Sequence, residues 1–136
     1  MIRLRRLLST MAAASPTPME DLIRRKITET FNPIYLQIFN DSHKHAHHAP
    51  MQGVTSKETH FRLEIVSEAF EKQTQMARHR SIYALLKEEM SEEGGIHALQ
   101  LKTRTPKEAG EQAAYKIAKA EEKAERDEQR RINLQS

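Results

Sequence analysis

The tetrapeptide Thr-Pro-x-Glu occurs twice in this chain, at Thr17–Glu20 and at Thr105–Glu108. A threonine just before a helix and a glutamate three residues later form a capping box, and proline is favoured at the first helical position. Each copy therefore predicts the start of a helix. The other secondary-structure elements of one small domain must therefore lie in the sequence between these two helix starts.

Between the two copies, helical and strand-like hydrophobic patterns alternate. Asn32-Pro33 ends the first helical pattern, and Gly94-Gly95 ends the second, whose apolar positions include Met76 and Tyr83. Alternation of apolar and polar residues is typical of a strand with one buried face. The predicted elements after the first helix are strands at 34–39 and 60–65 with a long loop between them, a two-piece helix at 67–90, a strand at 96–101 and a last helix from 106.

This order predicts an α+β domain with a three-stranded mixed sheet and helices on one face. The first two strands are expected to be antiparallel. The two-piece helix then forms a right-handed crossover to a third strand that is parallel to the second. The expected domain covers residues 18–109, and residues 110–136 form a charged, alanine-rich helical tail that has little to bury.

The net charge of +3 resides in the first segment of the chain. Residues 1–19 carry three arginines and no acid, whereas the bases and acids of residues 20–136 balance at 19 each. Such a domain has no basic excess to draw it onto a phosphate backbone. No apolar run approaches the roughly 20 residues that a membrane helix needs.

Residues 1–17 are rich in arginine, leucine and hydroxyl side chains and contain no acid. This composition is typical of a mitochondrial transit peptide, and the apolar stretch at Leu7-Leu8 is too short for a secretory signal. We therefore predict import into the mitochondrial matrix and cleavage of this segment. The alternative is a disordered basic terminus without a targeting role.

Four of the seven histidines lie in the predicted loop, and the chain contains no cysteine. Imidazole is the commonest metal ligand in proteins, and long loops in compact domains are often functional. The loop histidines His43, His45, His47 and His48 are therefore metal-capable, with a merely solvated polar loop as the alternative. His97 follows two glycines and is either a ligand or a satisfied core residue.

Other polar residues are assigned less sharply. Arg78-His79-Arg80 lies on the predicted helix, where His79 shares the apolar face and the arginines could contact phosphates. This leaves a nucleic-acid-binding regulator as the alternative function, although the GXXG loop of K-homology modules does not occur. No thiol nucleophile, catalytic triad or carboxylate pair points to an enzyme. Both partner-binding and structural roles stay open for His60, Arg78, His79 and Arg80.

Several spaced segments together resemble the BolA family. They are Pro33-x-x-Leu36, Asn40-Asp41-Ser42-x-x-His45, Glu58-Thr59-His60-Phe61, Phe70-Glu71, Arg78-His79-Arg80-x-x-Tyr83, Leu85-Leu86-x-Glu88-Glu89, Ile96-His97-Ala98-Leu99 and Thr105-Pro106, in this order. The resemblance covers residues 19–109, and within the family the chain is similar to the mitochondrial type-one subgroup. It implies the α-β-β-α-α-β-α fold of that family, which is like the type II K-homology fold. The histidine-rich loop and the charged tail from residue 110 depart from the family pattern.

Members of the BolA family bind a monothiol glutaredoxin and share a bridging [2Fe–2S] cluster with it. The resemblance implies that His97 and the loop histidine His45 are the cluster ligands of this chain, with His43 or His47 as alternates for the loop position. The glutaredoxin cysteine and the thiol of glutathione would supply the sulfur that a chain without cysteine lacks. The implied role is non-catalytic: a heterodimer passes the cluster to iron–sulfur acceptor proteins, and the chain alone binds none.

Overall fold

The computed structural model describes residues 15–45 and 58–136. Its helices are α1 (Pro18–Phe31), α2 (Gln75–Leu85), α3 (Lys87–Ser91) and α4 (Pro106–Gln135), and its strands are β1 (Tyr35–Asn40), β2 (His60–Val66) and β3 (Ala98–Arg104). Short 3₁₀ turns at Ser42–His45 and Glu68–Phe70 follow β1 and β2. This order confirms the predicted α+β class, and the two-piece helix corresponds to α2 and α3.

The three strands form one mixed sheet in the order β1-β2-β3. Strands β1 and β2 are antiparallel, with Tyr35 opposite Val66, and β2 and β3 are parallel, with His60 opposite Ala98. Both predicted pairings are thus confirmed. Strand β3 begins two residues later than predicted, because the N–H groups of Ile96 and His97 bond to the carbonyls of Glu89 and Thr59 in a connecting turn.

The core lies between one face of the sheet and the helices. Successive side chains of a strand point to opposite faces, and Phe61, Leu63 and Ile65 of β2 are all buried, as the sequence pattern predicts. The buried core cluster is Ile23, Ile27, Phe31, Ile38, Phe61, Leu63, Ile65, Phe70, Ile82, Leu86, Ile96 and Leu99. The opposite face of the sheet carries polar and charged side chains of β2 and β3.

Two apolar residues are exposed against expectation: Met76, which is predicted to lie on the apolar face of the helix, and Ile34, which is predicted to open the first strand and its apolar alternation. Met76 is 64% exposed, because the buried face of α2 carries Arg78 and Ile82, and a residue two positions before Arg78 lies on the opposite side of a helix. Ile34 is 67% exposed and precedes β1, although its N–H still bonds to the carbonyl of Val66. Periodicity identified both segments but placed their first apolar residue on the wrong surface.

The outer edge of β3 is bonded to side chains of α2. The hydroxyl of Tyr83 donates to the carbonyl of Leu99 at 2.9 Å, and the amide of Gln75 donates to the carbonyl of Thr103 at 2.9 Å. Arg78 also donates to the Thr103 carbonyl. An unpaired strand edge is a template for unwanted pairing, and covering it is a common protection. Tyr83 is half-exposed, and its hydroxyl helps to cover the edge of β3. Its position in an apolar helical pattern does not predict this role.

The two predicted capping boxes have different outcomes. At α4 the box is confirmed, since the Thr105 hydroxyl accepts from the N–H of Glu108 and the Glu108 carboxylate accepts from the N–H of Thr105. At α1 the helix starts where predicted, but Thr17 makes no side-chain cap. The carboxylate of Glu58 caps α1 instead, accepting from the N–H groups of Met19 at 3.1 Å and Glu20 at 2.9 Å.

Helix α4 is a single helix of 30 residues with no buried residue. The predicted domain boundary at residue 110 falls inside this helix without a break, and the helix continues to Gln135. Within the described part of the chain, no helix is both long and apolar enough to cross a membrane.

Candidate metal centre

Two imidazoles meet where β2 and β3 begin. His60 is the first residue of β2, and its register partner in β3 is Ala98, the residue after His97. The N–H groups of His97 and Ala98 both donate to the carbonyl of Thr59, at 2.7 and 3.1 Å. The parallel pairing thereby brings the rings of His60 and His97 together, with centroids 5.2 Å apart and planes tilted by 47°.

The two imidazoles differ in their surroundings. His60 is 8% exposed, and its Nδ1 lies 3.0 Å from the hydroxyl of Thr59 in a hydrogen bond. His97 is exposed, so the core role that the sequence left open for it does not apply. The structure therefore presents one accessible imidazole backed by a second, buried one. Sequence reasoning did not pair these histidines, because only the register between β2 and β3 reveals that they are neighbours.

A cleft of about 240 Å³ opens beside this pair on the face of the sheet away from the core. It is lined by Asp41, His60, Phe61, Arg62, His97, Ala98 and Gln100. Its charged wall is held by an ion pair in which Nε of Arg62 lies 2.5 Å from Oδ2 of Asp41, and the guanidinium also stacks over Phe39. The hydrogen bond to Asp41 raises the pKa of Arg62 above its ordinary value.

The first part of the histidine loop is attached directly to this place. Its 3₁₀ turn, Ser42–His45, is bound to the start of β2 through the buried hydroxyl of Ser42, which accepts from the N–H groups of Thr59 and His60. His43 is exposed on this turn, and His45 is its last residue. The other two loop histidines, His47 and His48, lie outside the described residues. The predicted loop ligand is thus carried by a turn bonded to the strand end beside His97.

Arg78 has a structural position. It is 4% exposed and donates to the carbonyls of Phe70, Gln73 and Thr103 and, through both terminal nitrogens, to the carboxylate of Glu108. This bidentate pair holds the pKa of Glu108 down at about 2. Of the partner-binding and structural roles left open for Arg78, its contacts in the structure support the structural one.

The neighbours of Arg78 on α2 lie away from the imidazole pair. His79 is half-buried in a separate cleft whose lining includes Gln75, Thr103 and Glu108, and Arg80 is exposed. Neither touches the cleft beside His97. Within residues 15–45 and 58–136, no group of three histidine, aspartate or glutamate side chains lies close enough together to bind a metal ion.

The structure is that of a small α+β protein. Helices cover one face of its three-stranded mixed sheet, and an exposed imidazole lies where its two parallel strands begin. The chain belongs to the BolA-like protein family, whose profile matches residues 27–108. The resemblance drawn from spaced motifs is therefore confirmed.

Individual relatives agree with this assignment. The chain is 46% identical over 91 residues to UV-induced protein uvi31 of Schizosaccharomyces pombe, covering 65% of this chain and 87% of that protein. It is 41% identical over 88 residues to SufE-like protein 1, chloroplastic/mitochondrial, of Arabidopsis thaliana, covering 63% of this chain but 23% of that protein. The solved structure of BolA1 from Arabidopsis thaliana is similar with a TM-score of 0.59 at 39% identity, covering 71% of this chain and 98% of that one.

Proposed function

We propose that this chain is a non-catalytic iron–sulfur assembly factor that binds a monothiol glutaredoxin and shares a bridging [2Fe–2S] cluster with it. The cluster is cargo, which the pair delivers to iron–sulfur acceptor proteins. The observation that carries the proposal is the exposed imidazole of His97, held beside His60 at the edge of an open cleft. BolA-family membership supplies the class of partner.

The donor set fits this cargo. Iron–sulfur clusters are held mainly by cysteine thiolates, and imidazoles can replace two of them on one iron, which raises the reduction potential. This chain has no cysteine, so it can contribute only the imidazole side. We assign the two positions to His97 and His45, with His43 and His47 as alternates for the loop ligand. The sulfur ligands then belong to the glutaredoxin cysteine and to glutathione.

The fold supports the division between ligands and scaffold. His97 is fixed through its backbone N–H to Thr59, so its exposed ring projects from a rigid strand start. Functional groups on rigid elements hold their geometry better than groups on free loops. By contrast, Arg78, one of the two arginines that could contact nucleic-acid phosphates, is buried and bonded to Glu108, so Arg80 alone of the two is exposed. The geometry therefore favours the cluster over the nucleic-acid alternative.

We place this activity in the mitochondrial matrix because of the basic, hydroxyl-rich composition of residues 1–17. A reporter fused behind residues 1–20 should be imported into mitochondria. A reporter that stays in the cytosol would contradict the targeting proposal and leave the cluster proposal intact.

The cluster proposal is tested by mixing the purified full chain with a cluster-loaded monothiol glutaredoxin and recording visible absorption and circular dichroism. Exchange of ligands at iron should change both spectra. His97→Ala should abolish most of the change, because the exposed imidazole is lost.

His79→Ala is the matched control, since it removes a histidine of the same domain that lies in a different cleft. It should give the wild-type spectra. Unchanged spectra on mixing the wild-type chain, or an equal response from His97→Ala, would reject the proposal.

A further inference from the structure

The hydroxyl of Ser42 joins three parts of the chain. It is 7% exposed, donates to Oδ1 of Asn40 at 2.5 Å, and accepts from the N–H groups of Thr59 at 2.8 Å and His60 at 3.1 Å. A serine hydroxyl has one donor and two acceptor positions, so these bonds use its full capacity. The hydroxyl is consequently held in one orientation, and the start of its turn is fixed to the start of β2.

Thr59 carries this attachment onward to His97. Its N–H is bonded to Ser42, whereas its carbonyl accepts from the N–H groups of His97 and Ala98. Thr59 is 1% exposed, so these bonds are shielded from competing water. One residue therefore binds the turn that ends at His45 on one side and the segment that carries His97 on the other.

We propose that Ser42 is a positioning residue that sets the spacing between the two cluster ligands of this chain. The inference rests on the proposed function and deepens it, because it selects the turn ending at His45 as the source of the loop ligand. Metal ligands have to be held within about 0.5 Å of a productive geometry, and loss of a supporting residue typically costs 10- to 100-fold in metal affinity. Without the Ser42 hydroxyl, the turn loses its two bonds to Thr59 and His60, and its attachment to β2 is reduced to contacts of Asp41 such as the bond from its N–H to the carbonyl of His60, while both histidines remain.

The test compares wild type, Ser42→Ala and Ser42→Thr in the mixed complex with cluster-loaded glutaredoxin. The readouts are the visible circular dichroism of the complex, its reduction potential and the chelator concentration that removes half of the cluster. We expect Ser42→Ala to lose the cluster about 10- to 100-fold more readily and to show an altered spectrum. Ser42→Thr keeps a hydroxyl and should restore all three readouts toward wild type.

Ser67→Ala is the matched control. Ser67 is fully buried, and its hydroxyl donates to the carbonyl of Phe31 and accepts from the N–H of Ala69, after the opposite end of β2. It should destabilise the fold without changing the cluster spectrum. Equal spectral effects from Ser67→Ala and Ser42→Ala would overturn the inference, because general destabilisation would then explain both.

Two further results keep the inference separable from the proposed function. If Ser42→Ala does not fold, Asn40→Ala serves instead, since it removes the acceptor of the Ser42 hydroxyl and should shift the spectrum in the same direction. A wild-type spectrum and wild-type cluster retention in the folded serine variant would overturn the role of Ser42. Failure of the wild-type chain to change the glutaredoxin spectrum would instead overturn the proposed function.

Discussion

The N-terminal cap of α1 offers a direct test of local against tertiary contacts. The local sequence predicts Thr17 as the capping side chain, whereas the structure shows Glu58 in this role. Pro18 has no N–H, and the N–H of Asp21 bonds to the carbonyl of Thr17. The two remaining donors of the first turn, on Met19 and Glu20, both bond to the carboxylate of Glu58. The N–H of Thr17 itself donates to the hydroxyl of Ser15 at 3.1 Å, so every N–H at the start of the helix has a partner without the Thr17 side chain acting as a cap.

The magnitudes follow from these contacts. A hydrogen bond to a charged group contributes about 1.5–3 kcal/mol, and loss of a helix cap costs about 1 kcal/mol. Glu58 is 7% exposed, but half-buried Met19 and Glu20 can recover part of the loss from water. We expect Glu58→Ala to lower the free energy of unfolding by about 2–3 kcal/mol. Thr17→Ala should stay within about 0.5 kcal/mol of wild type, whereas Thr105→Ala should cost about 1 kcal/mol.

Urea unfolding followed by far-ultraviolet circular dichroism measures these differences, provided the variants share one slope against denaturant. Glu29→Ala is the control for loss of a carboxylate, because Glu29 is exposed on α1. The reasoning is refuted if Thr17→Ala costs as much as Thr105→Ala, or if Glu58→Ala behaves like Glu29→Ala.

Two further predictions concern the ends of β3. Gly95→Ala should destabilise the domain by about 1–3 kcal/mol, because an added Cβ would lie 2.2 Å from the carbonyl oxygen of Glu89. The control is Gly110→Ala on α4, where an added Cβ meets nothing within 4 Å and the change should be neutral or stabilising. Equal losses of unfolding free energy in urea for the two variants would contradict the steric explanation. Glu108→Gln should flatten acid unfolding, because the Glu108 pKa is lowered from 4.5 to about 2, so wild-type stability from this group is complete above pH 4.5 and is lost as the pH falls toward 2. Identical unfolding free energies for the glutamine variant and wild type across this pH range would show that the Arg78 pair adds nothing.

Local signals in the sequence sufficed for most of the fold. The Thr105 box, the αL residue Asn32 and the alternation in β2 act within a few residues, and each appears in the structure where the pattern placed it. The parallel pairing of β2 with β3 followed from the helical crossover that was predicted between them. Failures occurred where a distant group decides the outcome. The helix is capped not by the predicted Thr17 box but by Glu58, which lies 38 residues after Glu20, one of the two residues whose N–H groups donate to it.

The site shows the same division. Composition pointed to metal binding through imidazole, because the chain has seven histidines and no cysteine, and this stays a prediction. The family resemblance, not composition, selected His45 and His97 as the expected ligands. It could not show that His60 lies against His97 or that Ser42 bonds to the start of β2, since both depend on tertiary register. A polar serine in a loop and a histidine that opens a strand carry no local sign of these contacts.

Three consecutive residues, Glu58, Thr59 and His60, each bind a different part of the structure. Glu58 caps α1, Thr59 bonds to Ser42 and His97, and His60 packs against the His97 ring. The proposed ligands are therefore attached where contacts from several elements converge. Any ligand that binds the folded chain at this point stabilises it in proportion to the logarithm of ligand concentration over Kd. Binding at His97 and unfolding of the domain should consequently be linked.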